Sequence, residues 1–400
     1  MLRRLRFASA GYSHGPGILA LLDGMPAGLP LETAWIDHDL QRRQRGYGRG
    51  HRMALESDKA QLLSGVYQGR TDGSPIAIFI SNREHEGARA PNLQPLYIPR
   101  PGHADFAGYA KYSLPDCRPV WERASARETA ARVAAGAVAR RLLHELGIRI
   151  GSYVQQIGSV ALEQNEEPTW ALVEAAERSD VRCPLEAVAE RMRSEIDTAR
   201  QAGDSLGGVF VVLAEGLPPG LGSYSQWECR LDARLGGAIL SIPGVKGIEI
   251  GPAFANAGRP GTEVQDPIGP AEPVTRVGSM GALRQSNNSG GVEGGMSTGQ
   301  RLVVRAAMKP IPTTLAPQPS IDLRTGAAAE TEYRRSDVCA VPAAAVVGEA
   351  MVSLVLADAV LEKFGGDSLL ELLAAYSSYV EKPLFGRASW TGADGERRQA

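Results

Sequence analysis

The sequence predicts an α+β fold whose strands pair in antiparallel sheets. Hydrophobic residues make up 43% of the 400 residues, which is enough to bury a sizeable core. Predicted helices and short apolar strands follow one another through short, irregular connections, without the regular strand–helix alternation of a parallel sheet. The chain contains no repeat of 20–50 residues and no heptad pattern. We therefore expect a single domain over residues 1–385 and a polar tail, residues 386–400, that is mobile.

The composition excludes several classes of protein. The 43 basic and 45 acidic side chains leave a formal charge of −2, which predicts no global affinity for nucleic acid. The four cysteines form no C-x-x-C pair, so we expect neither a zinc ribbon nor a disulfide framework. The first residues lack the apolar stretch of a secretion signal. We expect a cytoplasmic protein with no metal site and no membrane partner.

The first 100 residues are predicted to contain two helices and two strands before a long loop. A short helix is expected over Pro16–Leu22, because proline is favoured at the first helical position. A second helix, Leu31–Gln44, ends in a run of arginines and glycines. Apolar stretches at Gln61–Leu63 and Ile76–Ile80 are typical of strands. The loop over residues 81–102 is long enough to act as a lid.

The rest of the chain contains two clear helical segments. Strong helix formers fill Ser125–Leu146, where Ser125 and Glu128 are spaced as a capping box. The apolar segment Val341–Leu361 is interrupted by two acidic residues, which predicts a buried core helix and no transmembrane segment. The other predicted elements are helices over 186–202 and 232–241 and strands over 209–214 and 302–307.

Two of the six histidines lie in glycine and proline turns. His14 occurs in Ser-His-Gly-Pro-Gly, and His103 occurs in Arg-Pro-Gly-His-Ala-Asp. One interpretation is a turn histidine that hydrogen-bonds to local carbonyl groups. The other is a proton donor, because histidine titrates near neutral pH and can protonate a leaving anion or a reduced cofactor. We favour the second interpretation for both residues.

Several arginines lie beside glycine or proline turns or at helix ends. Taken singly, each is a solvated surface charge. Together they could neutralise a small ligand that carries several carboxylate or phosphate groups. A nucleic-acid surface is the competing interpretation, favoured by the stretch RGYGRGHR but weakened by the net charge. These residues are Arg43, Arg49, Arg100, Arg123, Arg127, Arg334 and Arg335.

Asp337 follows two arginines just before a predicted helix. An aspartate at such a position is commonly a helix cap, and the alternative is a base that the arginines hold ionised. Residues 284–299 contain five glycines, which indicates a close approach to another group or repeated positive φ angles. The motifs of P-loop nucleotide-binding proteins, zinc proteases, serine hydrolases and Rossmann dinucleotide-binding domains are absent from the sequence.

Long segments of distinctive sequence extend along most of the chain. They include SHGPG, RRQRGYGRGHRM, PRPGHADFAGYAKY, ERASARETAARVAAGA, GGVEGGMSTG, VRAAMKPIPT and RSDVCAVPAAAVV. In this order, they resemble the chorismate synthase family from Ser9 to about Leu370.

The resemblance implies a reaction and a fold. The reaction is an anti-1,4-elimination that converts 5-enolpyruvylshikimate 3-phosphate to chorismate and inorganic phosphate. It requires reduced FMN (FMNH2) without net redox change, and NADPH would act only as a reductant. The implied fold is a sandwich of helices between antiparallel sheets, assembled as a homotetramer. The substrate carries one phosphate and two carboxylates, which an arginine-lined pocket would bind.

The resemblance also implies residue roles. His14 would be a general acid near the leaving phosphate, His103 a general acid near the flavin, and Asp337 the group that helps the flavin N5 accept the C6 proton. The implied substrate-binding residues are Arg43, Arg49, Arg100, Arg127 and Arg335, the first two also forming an implied site for the NADPH phosphate. The implied FMN contacts are Arg123, Ala124, Ser125, Pro243, Gly244, Gly294, Lys309, Pro310, Ile311, Pro312, Thr313 and Arg335.

The chain departs from the family pattern in four places. Tyr12 stands where glutamate is typical, Gly244 where alanine is usual, and Gln265 where histidine is common. The loop after the predicted strand Ile76–Ile80 is shorter and lacks a tryptophan. The alternative hypothesis is therefore a divergent flavin-binding paralogue with weak or lost turnover.

Overall fold

Two antiparallel β-sheets enclose a layer of long helices, as the sequence predicts. The computed structural model describes residues 2–49, 58–82, 94–163, 167–270, 282–332 and 336–381. In spatial order, the strands of the first sheet are β1 Arg6–Gly11, β2 Gly17–Asp23, β6 Ile76–Ser81 and β3 Ala60–Ser64. Those of the second sheet are β10 Val245–Ile250, β15 Leu302–Met308, β9 Gly208–Glu215, β7 Arg149–Ile157 and β8 Val160–Ala161.

Helices and short strand pairs complete the described structure. The strand pairs are β4 Val66–Tyr67 with β5 Arg70–Thr71, β11 Ile268–Pro270 with β12 Ala282–Arg284, β13 Val292–Glu293 with β14 Met296–Ser297, and β16 Pro319–Ile321 with β17 Ala328–Glu330. The helices are α1 Thr33–Gln44, α2 Asp105–Tyr112, α3 Arg118–Arg123, α4 Thr129–Glu145, α5 Trp170–Ala176, α6 Glu186–Gln201, α7 Leu231–Leu240, α8 Ala253–Asn256, α9 Gly261–Val264, α10 Val341–Phe364 and α11 Leu369–Val380.

The helix α10 lies at the centre of the core. It packs against α4 and against β7 and β9 of the second sheet, while α4 contacts β2 and β6 of the first sheet. By length and composition α10 could cross a membrane, but its apolar stretch is entirely buried within the structure. Glu349 and Asp358 lie inside this buried stretch. The helix is therefore the core element that the sequence predicts.

The predicted helix over Pro16–Leu22 is wrong, because these residues contribute to the strand β2. Ile18 and Leu22 are buried against the helices, whereas Leu21 is exposed on the opposite face. This alternation has the period of two that a half-buried strand requires. The strand lies between β1 and β6 and pairs with both, so its place in the sheet outweighs the local preference of Pro16 for a helix start.

The other predicted helices and strands are confirmed with ends shifted by a few residues. The start of the helix predicted at Ser125 differs in detail. A 3₁₀ turn precedes α4, and Ser125 Oγ accepts a hydrogen bond from the backbone N–H of Arg127. Glu128 does not complete a capping box, because its carboxylate binds Arg132 and Ser9. The single domain over 1–385 stays a prediction, and the predicted tail lies outside the described residues.

Gly136 allows α4 and α10 to approach closely. A Cβ at this position would lie 2.3 Å from Ala350 Cβ and 2.5 Å from Ala350 Cα. We predict that Gly136→Ala lowers the free energy of unfolding by about 1–3 kcal/mol, because the methyl group overpacks the core.

The matched control is Gly237→Ala in α7, where the new Cβ would have no other atom within 4 Å. This change removes a conformationally free residue from a helix, so we expect it to raise the free energy of unfolding by about 0.5–1 kcal/mol. Urea unfolding measures the change in the free energy of unfolding for both variants. Equal destabilisation by the two variants would contradict the close contact between α4 and α10.

Candidate active site

Two of the predicted substrate-binding arginines share one buried carboxylate. Arg43, in the last turn of α1, donates from Nη2 to Asp58 Oδ2 at 2.7 Å, and Arg127 donates from Nη1 to Asp58 Oδ1 at 2.5 Å. All three side chains are buried. Burial raises the pKa of Asp58, but the charges and hydrogen bonds of the two arginines outweigh it and lower that pKa. The carboxylate is therefore held ionised between two cations.

The charge of Arg49 also affects the pKa of Arg43. Burial lowers the pKa of Arg43, and repulsion by Arg127 and Arg49 adds to this effect against the attraction of Asp58. Arg49 Nη1 lies 3.1 Å from Asp337 Oδ2. The predicted base Asp337 is thus paired with a predicted substrate-binding arginine. Arg334 and Arg335, the other arginines predicted for this region, lie outside the described residues.

Asn82 joins the arginine cluster to the turn that carries His14. Its Oδ1 accepts a hydrogen bond from Arg127 Nε at 2.7 Å. Its Nδ2 donates to three carbonyl oxygens of the turn between β1 and β2, and the side chain is buried. The three carbonyl groups belong to Tyr12, Ser13 and Gly15. The position of His14 is therefore coupled to the position of Arg127.

His14 is held by a buried carboxylate from α3. Its Nδ1 lies 3.0 Å from Glu122 Oε1, and its backbone N–H donates to Glu122 Oε2 at 2.8 Å. The side chain of Glu122 has no exposed surface, whereas 41% of the His14 side chain is exposed. Burial raises the pKa of Glu122, but hydrogen bonds from His14 and Ser13 outweigh it and lower that pKa to about 2. Glu122 is therefore an anion at neutral pH.

His103 is also held by a buried carboxylate, that of Asp105, two residues further along the chain. Its Nδ1 lies 2.6 Å from Asp105 Oδ1, and Arg100 Nε donates to Asp105 Oδ2 at 2.8 Å. The Arg100 guanidinium also stacks on the Trp121 ring, 3.3 Å from its centroid, a cation–π contact. Because Trp121 and Glu122 are adjacent in α3, this one helix supports both histidines.

The segment after β15 lies against the loop of His103. Lys309 Nζ donates to the Gly102 carbonyl oxygen at 2.5 Å, and Arg100 Nη1 donates to Thr313 Oγ1 at 3.2 Å. The Lys309 backbone N–H donates to the Gly244 carbonyl oxygen at 2.9 Å. The structure thus brings together two groups of predicted FMN contacts, Pro243 with Gly244 and Lys309 with Pro310, Ile311, Pro312 and Thr313.

The remaining predicted FMN contacts are spread more widely. Arg123 Nη2 donates to Ser9 Oγ at 2.8 Å, beside β1, and Ala124 and Ser125 follow it directly. Gly294 lies in the turn between β13 and β14, near the start of β15 and so at the end opposite Lys309. Seven residues of strand span about 20 Å. The structure of one chain therefore does not bring Gly294 to Lys309.

The acidic and amide side chains that organise this region have little signal in the sequence. Asp58 and Arg127 are 69 positions apart, and Glu122 and His14 are 108 positions apart, so spacing gives no sign of either pair. Asn82 ends a strand without any distinctive motif. Asp105 had a local signal, since it follows His103 by two residues in a turn.

The ionisation of Asp105 makes a testable contribution to stability. Burial raises its pKa, but hydrogen bonds from His103 and Arg100 outweigh it and lower the pKa from 3.8 to about 2. A lowered pKa in the folded state stabilises the fold above the unfolded value and loses this effect as the pH falls through the folded value. We expect the wild-type protein to have a higher melting temperature than Asp105→Asn. The difference in melting temperature should be largest above about pH 4 and smaller towards pH 2. A difference that does not change with pH would contradict this assignment.

Comparisons with known proteins agree with one another. The family model described as chorismate synthase matches residues 5–361. The chorismate synthase of Rubrobacter xylanophilus is 52% identical over 391 residues, covering 95% of this chain and 97% of that protein. The chorismate synthase of Aquifex aeolicus is 49% identical, with 95% and 98% covered.

A solved structure is also similar. A crystal structure of chorismate synthase superimposes with a TM-score of 0.79 at 44% identity, covering 95% of this chain and 98% of that chain. The helices between two antiparallel sheets agree with that likeness. The chain therefore belongs to the chorismate synthase family of lyases.

Proposed function

We propose that the chain converts 5-enolpyruvylshikimate 3-phosphate to chorismate and phosphate by anti-1,4-elimination, with reduced FMN required. The observation that carries the proposal is a cluster of three arginines: Arg43 and Arg127 share Asp58, and Arg49 lies near Arg43 and pairs with Asp337. Asn82 links Arg127 to the turn that carries His14. The substrate has one phosphate and two carboxylates. A cluster with excess positive charge beside a histidine suits an anion whose phosphate must leave.

Unsatisfied donors support the same proposal. Arg43 Nε and Arg49 Nε are buried and have no hydrogen-bond partner within the part of the chain that the structure describes. A buried donor without an acceptor costs free energy. Phosphate or carboxylate oxygens would satisfy both donors. We assign substrate binding to Arg43, Arg49, Arg100, Arg127 and Arg335, of which Arg335 lies outside the described residues.

The proton donors have distinct places in this proposal. His14, coupled to the arginine cluster, would protonate the leaving phosphate, and His103, beside Lys309, would act near the flavin. Asp337 lies next to Arg49 and would take part in removing the C6 proton. General acid–base groups of this kind contribute about 10²–10⁴ in rate.

The residues around His103 support the proposal of a flavin site there. A Cβ on Gly102 would lie 3.0 Å from Lys309 Nζ, and a Cβ on Gly244 would lie 3.0 Å from Met308 Cε, so both glycines permit close packing at positive φ. Lys309, Pro310, Ile311, Pro312 and Thr313, with Pro243 and Gly244, would hold the ring beside the cations of Lys309 and Arg100. When bound there, reduced FMN would supply electron density to the reaction.

Other predicted FMN contacts complete the assignment. Arg123, Ala124 and Ser125 offer a guanidinium and the start of a helical segment for the phosphate. Gly294, in the turn between β13 and β14, lies near the end of β15 opposite Lys309, so we propose that it contributes from another subunit. NADPH would serve only as a reductant.

The outer face of the first sheet supports assembly as a homotetramer. Leu21 and Leu63 are exposed, and Leu19 pairs with Phe79 on the same face. Exposed apolar faces of this kind commonly mark subunit interfaces. Light scattering measures the mass of the assembly. We also propose that the enzyme is cytoplasmic.

The proposed reaction is tested by anaerobic phosphate release with chemically reduced FMN. We expect phosphate and chorismate in equal amounts, with no release when the FMN is oxidised. The assay needs no separate reductase. Absence of product although reduced FMN binds would overturn the proposal and favour a paralogue that has lost turnover.

Arg49→Ala should mainly weaken substrate binding. A lost charge-assisted hydrogen bond of about 1.5–3 kcal/mol corresponds to a KM about 10–100-fold higher. Steady-state kinetics under anaerobic conditions measures the change. Arg193→Ala, which removes an arginine paired with Asp180 and Glu186, is the control and should leave KM unchanged. An unchanged KM for Arg49→Ala would argue against its placement in the substrate site.

A further inference from the structure

The contacts of Glu122 constrain the ring of His14 more than simple packing would. Oε2 accepts hydrogen bonds from the His14 backbone N–H at 2.8 Å and from Ser13 Oγ at 2.9 Å. Oε1 lies 3.0 Å from His14 Nδ1 and 3.2 Å from Arg118 Nη1. The two oxygens of one carboxylate therefore bind the backbone and the ring of the same histidine.

An ionised carboxylate has only acceptors to offer. The Glu122 carboxylate is held ionised by these hydrogen bonds. A short contact between this oxygen and His14 Nδ1 therefore requires a proton on Nδ1. Nδ1 keeps that proton in both charge states of the ring, so Nε2 is the atom that gains and loses a proton.

We propose that Glu122 is a positioning residue that fixes the Nδ1–H tautomer of His14, so that the ring delivers its proton from Nε2. This inference rests on the proposed function, in which His14 protonates the leaving phosphate. In the transfer, the Nε2–H bond breaks as an O–H bond forms on the phosphate. The ring returns to its neutral Nδ1–H form, and Glu122 keeps its negative charge throughout.

Glu122→Gln provides a sharp test because it replaces one acceptor oxygen of the carboxylate with an N–H donor. The backbone N–H of His14 needs an acceptor, so the amide oxygen takes the place of Oε2. The amide nitrogen then takes the place of Oε1 and donates to His14 Nδ1, which also lies 2.9 Å from Ser13 Oγ. Arg118 Nη1 loses its acceptor at this position, and its partly exposed end can turn to solvent. In the neutral ring, the proton then moves to Nε2, so the variant reverses the tautomer.

The tautomer is measured by ¹⁵N NMR on histidine-labelled protein at alkaline pH, where the ring is neutral. The His14 signals are assigned by their loss in His14→Gln. We expect wild type to carry the proton on Nδ1 and Glu122→Gln to carry it on Nε2. A proton that remains on Nδ1 in the variant would overturn the proposal. This result does not depend on turnover, so it stands even if the proposed reaction fails.

Kinetics supplies the second arm of the test. Glu122→Gln should lower kcat by about 100-fold, the lower end of the range for general acid–base groups, with KM nearly unchanged. Glu215→Gln is the matched control, since it removes a carboxylate that is paired with Arg149 and Arg301 at the C-terminal end of β9. It should leave kcat unchanged. A reversed tautomer with wild-type kcat would refute the positioning role, and no turnover by wild type would instead refute the proposed reaction.

Discussion

Replacing His103 with alanine is expected to lower kcat by about 10²–10⁴, the contribution of a positioned general acid or base. His103 is largely buried, paired with Asp105 and in contact with Arg100, in the loop that also binds Lys309. The variant loses the proposed proton donor but keeps the salt bridge between Arg100 and Asp105. FMN should therefore still bind.

Anaerobic turnover and flavin fluorescence titration separate these two effects. His38→Ala is the control, because His38 lies on α1 with 67% of its side chain exposed and should leave kcat unchanged. Near-normal turnover of His103→Ala would remove His103 from the proposed mechanism. Loss of FMN binding together with turnover would reassign it to cofactor binding.

Asp358→Asn is expected to cause the largest loss of stability, about 3–5 kcal/mol, because it removes the fully buried partner of a fully buried cation. Asp358 and Arg234 both have fully buried side chains and form a salt bridge between α10 and α7. The carboxylate also accepts hydrogen bonds from the backbone N–H groups of Arg4 and Leu5, at 2.6 and 2.7 Å. One charge therefore secures the start of the chain to the core helix.

Urea unfolding of Asp358→Asn is compared with Glu362→Gln. Glu362 binds the same Arg234 but has 30% of its side chain exposed, so its loss should cost less than about 1 kcal/mol. A large difference between the two variants supports the buried pair. Equal losses would mean that the burial of Asp358 adds nothing to the stability of the fold.

Much of the fold could be predicted from local sequence. The helix formers of α4 and the apolar length of α10 are signals within single segments, and both elements are confirmed. The sequence predicts a helix where β2 lies, because the helix-start preference of Pro16 is local whereas the pairing of β2 with β1 and β6 is not. Prediction therefore failed where tertiary pairing decided the structure.

In the candidate site, too, local signals could be predicted and contacts between distant residues could not. His14 and His103 could be selected because glycine and proline turns mark them in the sequence. Their carboxylate partners Glu122 and Asp105, and the shared partner Asp58, are ordinary residues whose importance comes from burial beside cations. Spacing along the chain cannot reveal such pairs when folding alone brings them together.

These buried carboxylates change the interpretation of the arginines. The sequence predicts a set of arginines that bind an anionic ligand. In the structure, Arg43 and Arg127 form salt bridges with Asp58, and Arg49 forms one with Asp337. Each pair fixes a guanidinium in one geometry, and preorganised cations bind a small anion with less loss of side-chain entropy.

The most direct test is the crystal structure of the protein with 5-enolpyruvylshikimate 3-phosphate and oxidised FMN, which does not support turnover. We predict phosphate or carboxylate oxygens within about 3.2 Å of at least two of Arg43, Arg49 and Arg127, with the His14 ring beside the phosphate. A substrate bound elsewhere, with Arg43 and Arg127 contacting only Asp58 and protein groups, would contradict the proposed site.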